Sequence, residues 1–574
     1  MTDPAWLQRA RAFRADDPDP DTCAELDALL ARAADPDSAA ELRDRFETRL
    51  GFGTAGLRGL IGAGDNRMNL RVVAQTTAAL CAQLAATVPN AAARGLCIGF
   101  DGRHKSQQMA EEARAVANGA GFAVHAFDAI APTPLLAYAV RARAAAGGVM
   151  ITASHNPAAY NGYKVYWEDG AQLNAPHDAE IARRIEASPQ VLALPRLTRA
   201  QAEAQGRLHS LDTLFEQYLR DLELALGPAP SKRAMPRIAY TAMHGVGERF
   251  ARASLARAGV TELESVAEQA QPDPQFPTVR FPNPEEPGAL DRVLALAAHT
   301  RADLVLANDP DADRLAAAVT TPAGLRALTG NELGVLLCDY LLERAPRDGK
   351  NVIVTTIVST PLAARIAQAH GARCAITLTG FKWIIQRAGQ LTQSGLRCVL
   401  GFEEALGYCI GDLVRDKDGI AGAAHVARMA EWHALQGRSL QEALDGLYRR
   451  HGLFDSRQVS LALDHPEAVA ALSGKLLALR QHPPSQLAGL TVTGTRDLLH
   501  APQPDLPRSD VFGFELDGAH RITIRPSGTE PKLKIYLDCS RQLTAAEPLA
   551  AARAQLERLA SSIVTELRAQ LGLS

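Results

Sequence analysis

The order strand, loop, helix, glycine, strand comes three times in this chain, and each copy needs a sheet to join. "LCIGFDGRHKSQQMAEEARAVANGAGFAVHAFD" starts with β-type residues at Leu96 to Phe100, turns helical from Ser106, and places Gly119 and Gly121 before the next apolar run. "RIAYTAMHGVGERFARASLARAGVTELESV" repeats the order from Arg237, with Gly259 at the expected helix stop. "NVIVTTIVSTPLAARIAQAHGARCAITLT" repeats it from Asn351, with Gly371 in that place. One glycine stop is common, because Gly accepts the left-handed backbone that closes a helix. Three copies argue for three related α/β domains with mixed, largely parallel sheets, since strands alternating with helices of this length form βαβ units.

From about Phe454 the pattern changes. The strand candidates "RQVSLAL", "LTVTGTRDLL", "RITIRP" and "LKIYLD" follow one another, and a long amphipathic helix is expected from Thr544. That is an α+β order, so a fourth domain of another type is expected. The expected domains are residues 1–205, 206–325, 326–455 and 456–574, and a chain of 574 residues is long enough to hold several cores. The Pro-rich stretch "QPDPQFPTVRFPNPEEPG" is expected to be an ordered loop near a site, since Pro stiffens the chain.

The net charge of −3 gives no global basic field, which argues against nucleic acid as a partner. Any anion must be met locally. The eight Cys form no C-x-x-C pair and are expected to be reduced and structural. The N-terminus lacks the apolar core of a signal peptide, and no apolar run reaches the ~20 residues of a membrane span, so a cytoplasmic protein with no membrane partner is expected.

Several loops carry chemistry. In "LVLANDPDADRLAAAV", Asp309, Asp311 and Asp313 alternate after an apolar strand, so a turning loop can aim three carboxylates at one centre, as Mg²⁺ or Ca²⁺ requires. The EF-hand is excluded, because Arg314 and Thr320 stand where its Gly and Glu belong. An acidic surface turn is the plainer alternative, against which Arg314 beside the triplet favours a site for metal and phosphate together. "TIRPSGTEPKLKIY" reads as strand, loop, strand, with Ser527, Gly528 and Thr529 able to form an anion nest and Arg525 and Lys532 supplying charge. An ordinary hairpin turn fits it as well. "GFGTAGLRGL" is a Gly-rich turn whose Arg58 can reach an anion, and it is neither a Walker loop nor a dinucleotide fingerprint. "VLGFEEALGY" runs a strand into Glu403 and Glu404, which either start a solvated helix or accept hydrogen bonds from sugar hydroxyls. In "VMITASHNPAAYNGYKVYW" an apolar run ends at Ser154 and His155. A lone His there is more often structural, although His155 is counted with the catalytic set. No G-x-S-x-G elbow surrounds Ser154, so phosphoryl rather than acyl transfer suits it.

Taken together, "TASHNP", "DPDADR", "GFEEALGY" and "RPSGTEPK", in this order, resemble the motifs of the α-D-phosphohexomutase superfamily, and "GTAGLRG" with the chain length is most similar to its phosphoglucomutase-2 and phosphopentomutase branch. The resemblance covers Gly51 to Tyr536. It implies four domains around a central cleft, a phosphorylated Ser154, and Mg²⁺ bridging that phosphoserine to Asp309, Asp311 and Asp313. By the same resemblance Arg58 and Lys164 assist proton transfer, Lys382 in "TGFKW" contacts ligand, Glu403 reads the sugar, and Arg525, Ser527, Gly528 and Thr529 hold a distal phosphate. The implied reaction moves a phosphoryl group between C1 and C6 of a hexose phosphate through a bisphosphate intermediate. Glucose phosphate is placed first, mannose or pentose phosphates are alternatives, and a metal-dependent phosphatase is the rival of another class. A glucose 1,6-bisphosphate type of activator and a monomer or weak dimer are expected. One departure bears on specificity: many relatives have E-x-S where this chain has Glu403-Glu404-Ala405.

Overall fold

The computed structural model describes residues 3–572 except 54–55, 189, 231–233, 463–465, 502, 504, 527–531 and 545–546, and gives only the backbone of 462, 466–471 and 532. Residues 1–327 with 407–432 form one compact unit, and residues 328–406 with 433–574 form a second.

Each of the three repeats builds the same sheet core. In the first, Leu96–Phe100 lies between Gly147–Ile151 and Val124–Ala126, all parallel. In the second, Ile238–Thr241 lies between Leu304–Asn308 and Leu263–Ser265. In the third, which belongs to the second unit, Asn351–Thr356 lies between Arg397–Glu403 and Arg373–Thr377. The expected glycine stops are present, with Gly259 at φ 101° closing the helix Gly247–Ala258 and Gly371 at φ 68° just past Leu362–Ala369. Strands such as Leu96–Phe100 and Leu304–Asn308 are buried along their whole length, as sheets covered on both faces require. The strand order reverses beside the central strand, and loops leaving the carboxyl ends of parallel strands at such a point are where α/β sheets place ligands. In every repeat the third strand leads there into a polar loop: Ser154, Asp309 to Asp313, or Glu403 and Glu404.

The first two sheets are mixed. Tyr160–Trp167 runs antiparallel to Gly147–Ile151 and carries Leu57–Leu60 on its outer side, while Leu315–Thr321 runs antiparallel to Leu304–Asn308. The last domain is a six-stranded antiparallel sheet in the order Leu453–Ala462, Lys532–Arg541, His520–Pro526, Phe512–Leu516, Leu490–Asp497, Gln486–Leu487, followed by the helix Leu549–Leu571. Phe512–Leu516, Gln486–Leu487 and the helix Pro466–Gln481 add to the elements expected from the sequence.

Ahead of the first sheet stand three helices, Ala5–Ala15, Pro20–Leu30 and Pro36–Phe46, with a core of their own around Phe13, Leu26, Leu42 and Phe46. Asp19 and Asp35 cap the second and third, accepting from the N–H of Asp21 and Ser38. No helix among the described residues is long and apolar enough to cross a membrane.

Candidate active site

Ser154 follows Gly147–Ile151 after a sharp turn and takes a left-handed backbone, φ 51°, unusual for a residue with a Cβ. The residue is buried; its N–H donates to Thr152 Oγ1 at 2.9 Å, and its hydroxyl donates to Asp309 Oδ2 at 2.9 Å. His155 Nδ1 lies 3.1 Å from the same hydroxyl. Burial, with Arg314 and Arg58 nearby, holds this imidazole well below its ordinary range, so it is neutral at pH 7.

Asp309, Asp311 and Asp313 come from the loop after Leu304–Asn308 and are buried, with one carboxylate oxygen of each within 4.8 Å of the others. Lys164, on Tyr160–Trp167, donates to Asp311 Oδ2 at 2.7 Å and Asp313 Oδ2 at 3.1 Å. Thr133 donates to Asp311 Oδ2 at 2.6 Å, and Lys417 Nζ lies 3.4 Å from Asp313 Oδ2. Burial alone would raise Asp311, yet the Lys164 charge and the hydrogen bonds from Lys164 and Thr133 hold it below the usual carboxylate range. Burial would lower Lys164, but Asp311 and Asp313 keep its ammonium charged above the usual lysine range. Asp309 is pushed well above the carboxylate range by burial and by the charges of Asp311 and Asp313. The buried Oδ1 atoms of Asp311 and Asp313 have no hydrogen-bond partner among the described residues. Orphaned hard oxygens and mutual repulsion in one pocket fit a divalent cation.

Arg58, at the second position of Leu57–Leu60, donates from Nη1 to Asn156 Oδ1 at 2.8 Å, which ties it to the Ser154 loop. Arg314 donates its backbone N–H to Asp309 Oδ1 at 2.9 Å and pairs through Nη1 with Glu285 at 2.9 Å. Glu285 belongs to the Pro-rich stretch, so that stretch is an ordered loop beside the site.

The second unit holds the remaining candidates. Glu403 ends Arg397–Glu403 and is buried, while Glu404 Oε2 accepts from Ser359 Oγ at 3.1 Å and Thr356 Oγ1 at 3.3 Å. Arg525 lies in His520–Pro526 and hydrogen-bonds Tyr536, whose phenol is raised by burial and by Glu404. Lys382 opens the helix Phe381–Gln393 with Nζ 5.0 Å from the centre of the Trp383 ring. Lys532 starts Lys532–Arg541, and Ser527, Gly528 and Thr529 lie outside the described residues. The sequence-predicted residues therefore divide into two groups. Ser154, His155, Arg58, Lys164, the three Asp and Arg314 come together in the first unit. Lys382, Glu403 and Arg525 belong to the second.

Thr133 and Lys417 were not singled out from the sequence. Lys417 sits in "RDKDG", a charge-dense turn before a helix, which is the signal that could have marked it; Thr133 opens the helix Thr133–Ala142 after a proline and carries no such signal.

Three family models, the Phosphoglucomutase/phosphomannomutase alpha/beta/alpha domains I, II and III, match residues 49–191, 216–324 and 329–451. The chain belongs to this family. Its members are phosphomutases, and the chain is an intramolecular phosphotransferase of that kind, within the α-D-phosphohexomutase superfamily. It is 37% identical over 526 residues to a "Probable phosphoribomutase" of Schizosaccharomyces pombe, covering 88% of this chain and 89% of the relative. It is 32% identical over 516 residues to a "Phosphoglucomutase" of Staphylococcus epidermidis, covering 88% and 93%. Its fold is that of pp63/parafusin from Paramecium, with a TM-score of 0.68 at 18% identity over 92% of this chain and 97% of that one. The helices before residue 49 lie outside the family models.

Proposed function

We propose that this phosphomutase acts through Ser154 as the phosphoryl carrier, with Mg²⁺ as the cation and a pentose phosphate as the preferred sugar. The observation that carries the proposal is the 2.9 Å hydrogen bond from Ser154 Oγ to Asp309, in a pocket that also holds Asp311, Asp313 and Lys164. Asp309, Asp311 and Asp313 would hold the cation, which supplies charge neutralisation to the phosphoryl group in transfer. The residues of the chain do the rest. Phosphorylated Ser154 gives its phosphoryl group to the free hydroxyl of the sugar monophosphate, which makes the bisphosphate, and the freed Ser154 hydroxyl then takes the phosphoryl group from the opposite end, which leaves the isomeric monophosphate and restores the phosphoserine. Lys164, held as an ammonium, and Arg58 stabilise charge at the reacting oxygen, and the neutral His155, 3.1 Å from the Ser154 hydroxyl, is the proposed acceptor of the hydroxyl proton. A sugar phosphorylated at both ends needs a second anion-holding group, a role proposed for Arg525 and the loop after it.

Two observations favour a pentose over the glucose placed first from the sequence. The identity to the phosphoribomutase is higher than to the phosphoglucomutase. The loop at Glu403 is also sparing in free polar groups: Glu404 is engaged by Ser359 and Thr356, and Ala405 has no polar side-chain atom. Fewer readers suit a sugar with fewer hydroxyls. The test is kcat/KM for ribose 1-phosphate and glucose 1-phosphate side by side with the matching bisphosphate activator. Ribose 1-phosphate is expected ahead by about tenfold, which one or two lost hydrogen bonds amount to. Glucose ahead would overturn the sugar assignment, and inorganic phosphate as the main product would overturn the mutase in favour of a phosphatase.

A further inference from the structure

Ser154 needs something to keep it in its left-handed turn, and the loop it sits on is short of regular hydrogen bonds. The residue that supplies them is Arg103, which follows the strand Leu96–Phe100 and is buried. A guanidinium has five N–H donors in a rigid fork. In Arg103, Nη2 donates to the carbonyls of Ser154 and Asn156, both at 2.5 Å, and Nη1 donates to those of Pro157 at 2.9 Å and Tyr160 at 3.2 Å. Nε faces Asp101 Oδ2 at 3.4 Å. Asp101 is itself fixed, since its Oδ1 accepts from Ser106 Oγ at 2.7 Å and from the Arg103 N–H at 3.0 Å. The Phe276 ring, from the Pro-rich loop, lies 4.9 Å from the guanidinium carbon and completes the enclosure.

We infer that Arg103 is a positioning residue for phosphoryl transfer: it gathers the carbonyls of the Ser154–Tyr160 loop and thereby aims the Ser154 hydroxyl at Asp309. The donor count decides between this role and a direct one. The four Nη N–H groups all donate to carbonyls of the loop, and the buried Nε faces Asp101 Oδ2 at 3.4 Å without a hydrogen bond, so no outward donor remains to grip a phosphate. The same clamp reaches further, because the carbonyl of Asn156 is held by Arg103 while its side chain holds Arg58. One buried guanidinium thus sets both the carrier and the arginine beside it. Lysine could not replace it, having one ammonium where four carbonyls must be spanned. This inference rests on the phosphomutase reading for its catalytic consequence, but the clamp itself can be tested without activity.

The experiment uses the full chain with Arg103→Lys and Arg103→Ala. Amide hydrogen exchange across residues 153–161 is expected to speed up about tenfold or more in Arg103→Lys, with the Leu304–Asn308 strand unchanged, because only the local opening equilibrium is altered. In Arg103→Ala, kcat should fall about 100-fold with little change in KM, as a misaimed nucleophile loses rate rather than binding. Millimolar guanidinium should restore part of that kcat and part of the exchange protection, while it should do nothing for Ser154→Ala. Unchanged exchange in Arg103→Lys would overturn the clamp, even if Arg103→Ala does not fold. A loss of kcat in Arg103→Ala that comes with an equal rise in KM and no rescue by guanidinium would overturn the positioning role. If exchange responds as expected but the wild-type protein never takes a phosphoryl group on Ser154, the clamp stands and the phosphomutase mechanism falls.

Discussion

Around Ser154 in the first unit, Asp309, Asp311, Asp313, Lys164 and Lys417 are almost free of solvent, and lysine meets carboxylate at 2.7–3.4 Å. In the second unit Arg525 and Lys382 are half-buried, Lys382 rests on the Trp383 ring, and Glu404 is engaged by the hydroxyls of Thr356 and Ser359. The difference is one of dielectric. Charges fixed away from water act strongly on charge that develops during a reaction, whereas half-solvated charges are screened and serve mainly to hold a ligand. Substitutions in the first unit should therefore lower kcat, and those in the second should act through binding and sugar choice.

The largest effect is expected from Ser154→Ala, which removes the carrier and should lower kcat by roughly 10⁴-fold or more while phosphate disappears from the tryptic peptide that holds residue 154. Full activity in that variant, with phosphate on another residue, would break the comparison at its root. Asp311→Asn should follow with a loss of about 10²–10⁴-fold in kcat and little change in unfolding midpoint, since one of three hard ligands and its balance against Lys164 are lost. Chelation by EDTA should mimic it reversibly, and activity that survives thorough chelation would remove the cation from the site.

In the second unit, Arg525→Ala should remove about 1.5–3 kcal/mol of charge-assisted hydrogen bonding, or ten- to a hundredfold in kcat/KM, in both directions of the reaction. Unchanged kcat/KM both ways would leave the second unit without an anion-holding role.

The last effect falls on stability and leaves the rate alone, and it separates burial from catalysis inside the first unit. Asp418 is buried and pushed up to about 6, burial being the main cause, while Tyr218 and the N–H groups of Ile420 and Ala421 donate to it. Its folded pKa lies above the unfolded value, so the native state binds more protons between pH 4 and 6. This contribution to stability is complete below about pH 4 and is lost as pH rises through about 6, at about 1.4 kcal/mol per unit, or of order 2–3 kcal/mol in all. Asp418→Asn keeps the capping oxygen and should abolish that fall. The measure is the unfolding midpoint of variant minus wild type, expected to rise from pH 4 to pH 7; a flat difference would show that burial of this carboxylate has no such cost.

Local chemistry was plain in the sequence wherever it is encoded within a dozen residues. The three strand–helix–Gly units, the Asp triplet after "LVLAN" and the serine after "VMITA" depend on residue period and turn preference, which act over short spans. The helices at Ala5–Ala15, Pro20–Leu30 and Pro36–Phe46 were not separated from the first α/β domain, because their period shows an apolar face without saying which neighbour covers it. Phe512–Leu516 was legible but not read: Asp517-Gly518, a hairpin turn signal, stands between it and the strand His520–Pro526 that it pairs with.

The sequence by itself determined which loops carry hydroxyl, carboxylate and cation, and the family to which their order belongs. Only the tertiary structure decided which charges face each other: Thr133 and Lys164 on Asp311, Lys417 on Asp313, Arg103 on four carbonyls of the serine loop, and Ser359 on Glu404. These partners are far apart in the chain, and no local preference of either one selects the other. They meet because whole sheets pack at fixed spacings, and in the low dielectric of that packing each pairing sets the charge state of a carboxylate or the aim of a hydroxyl.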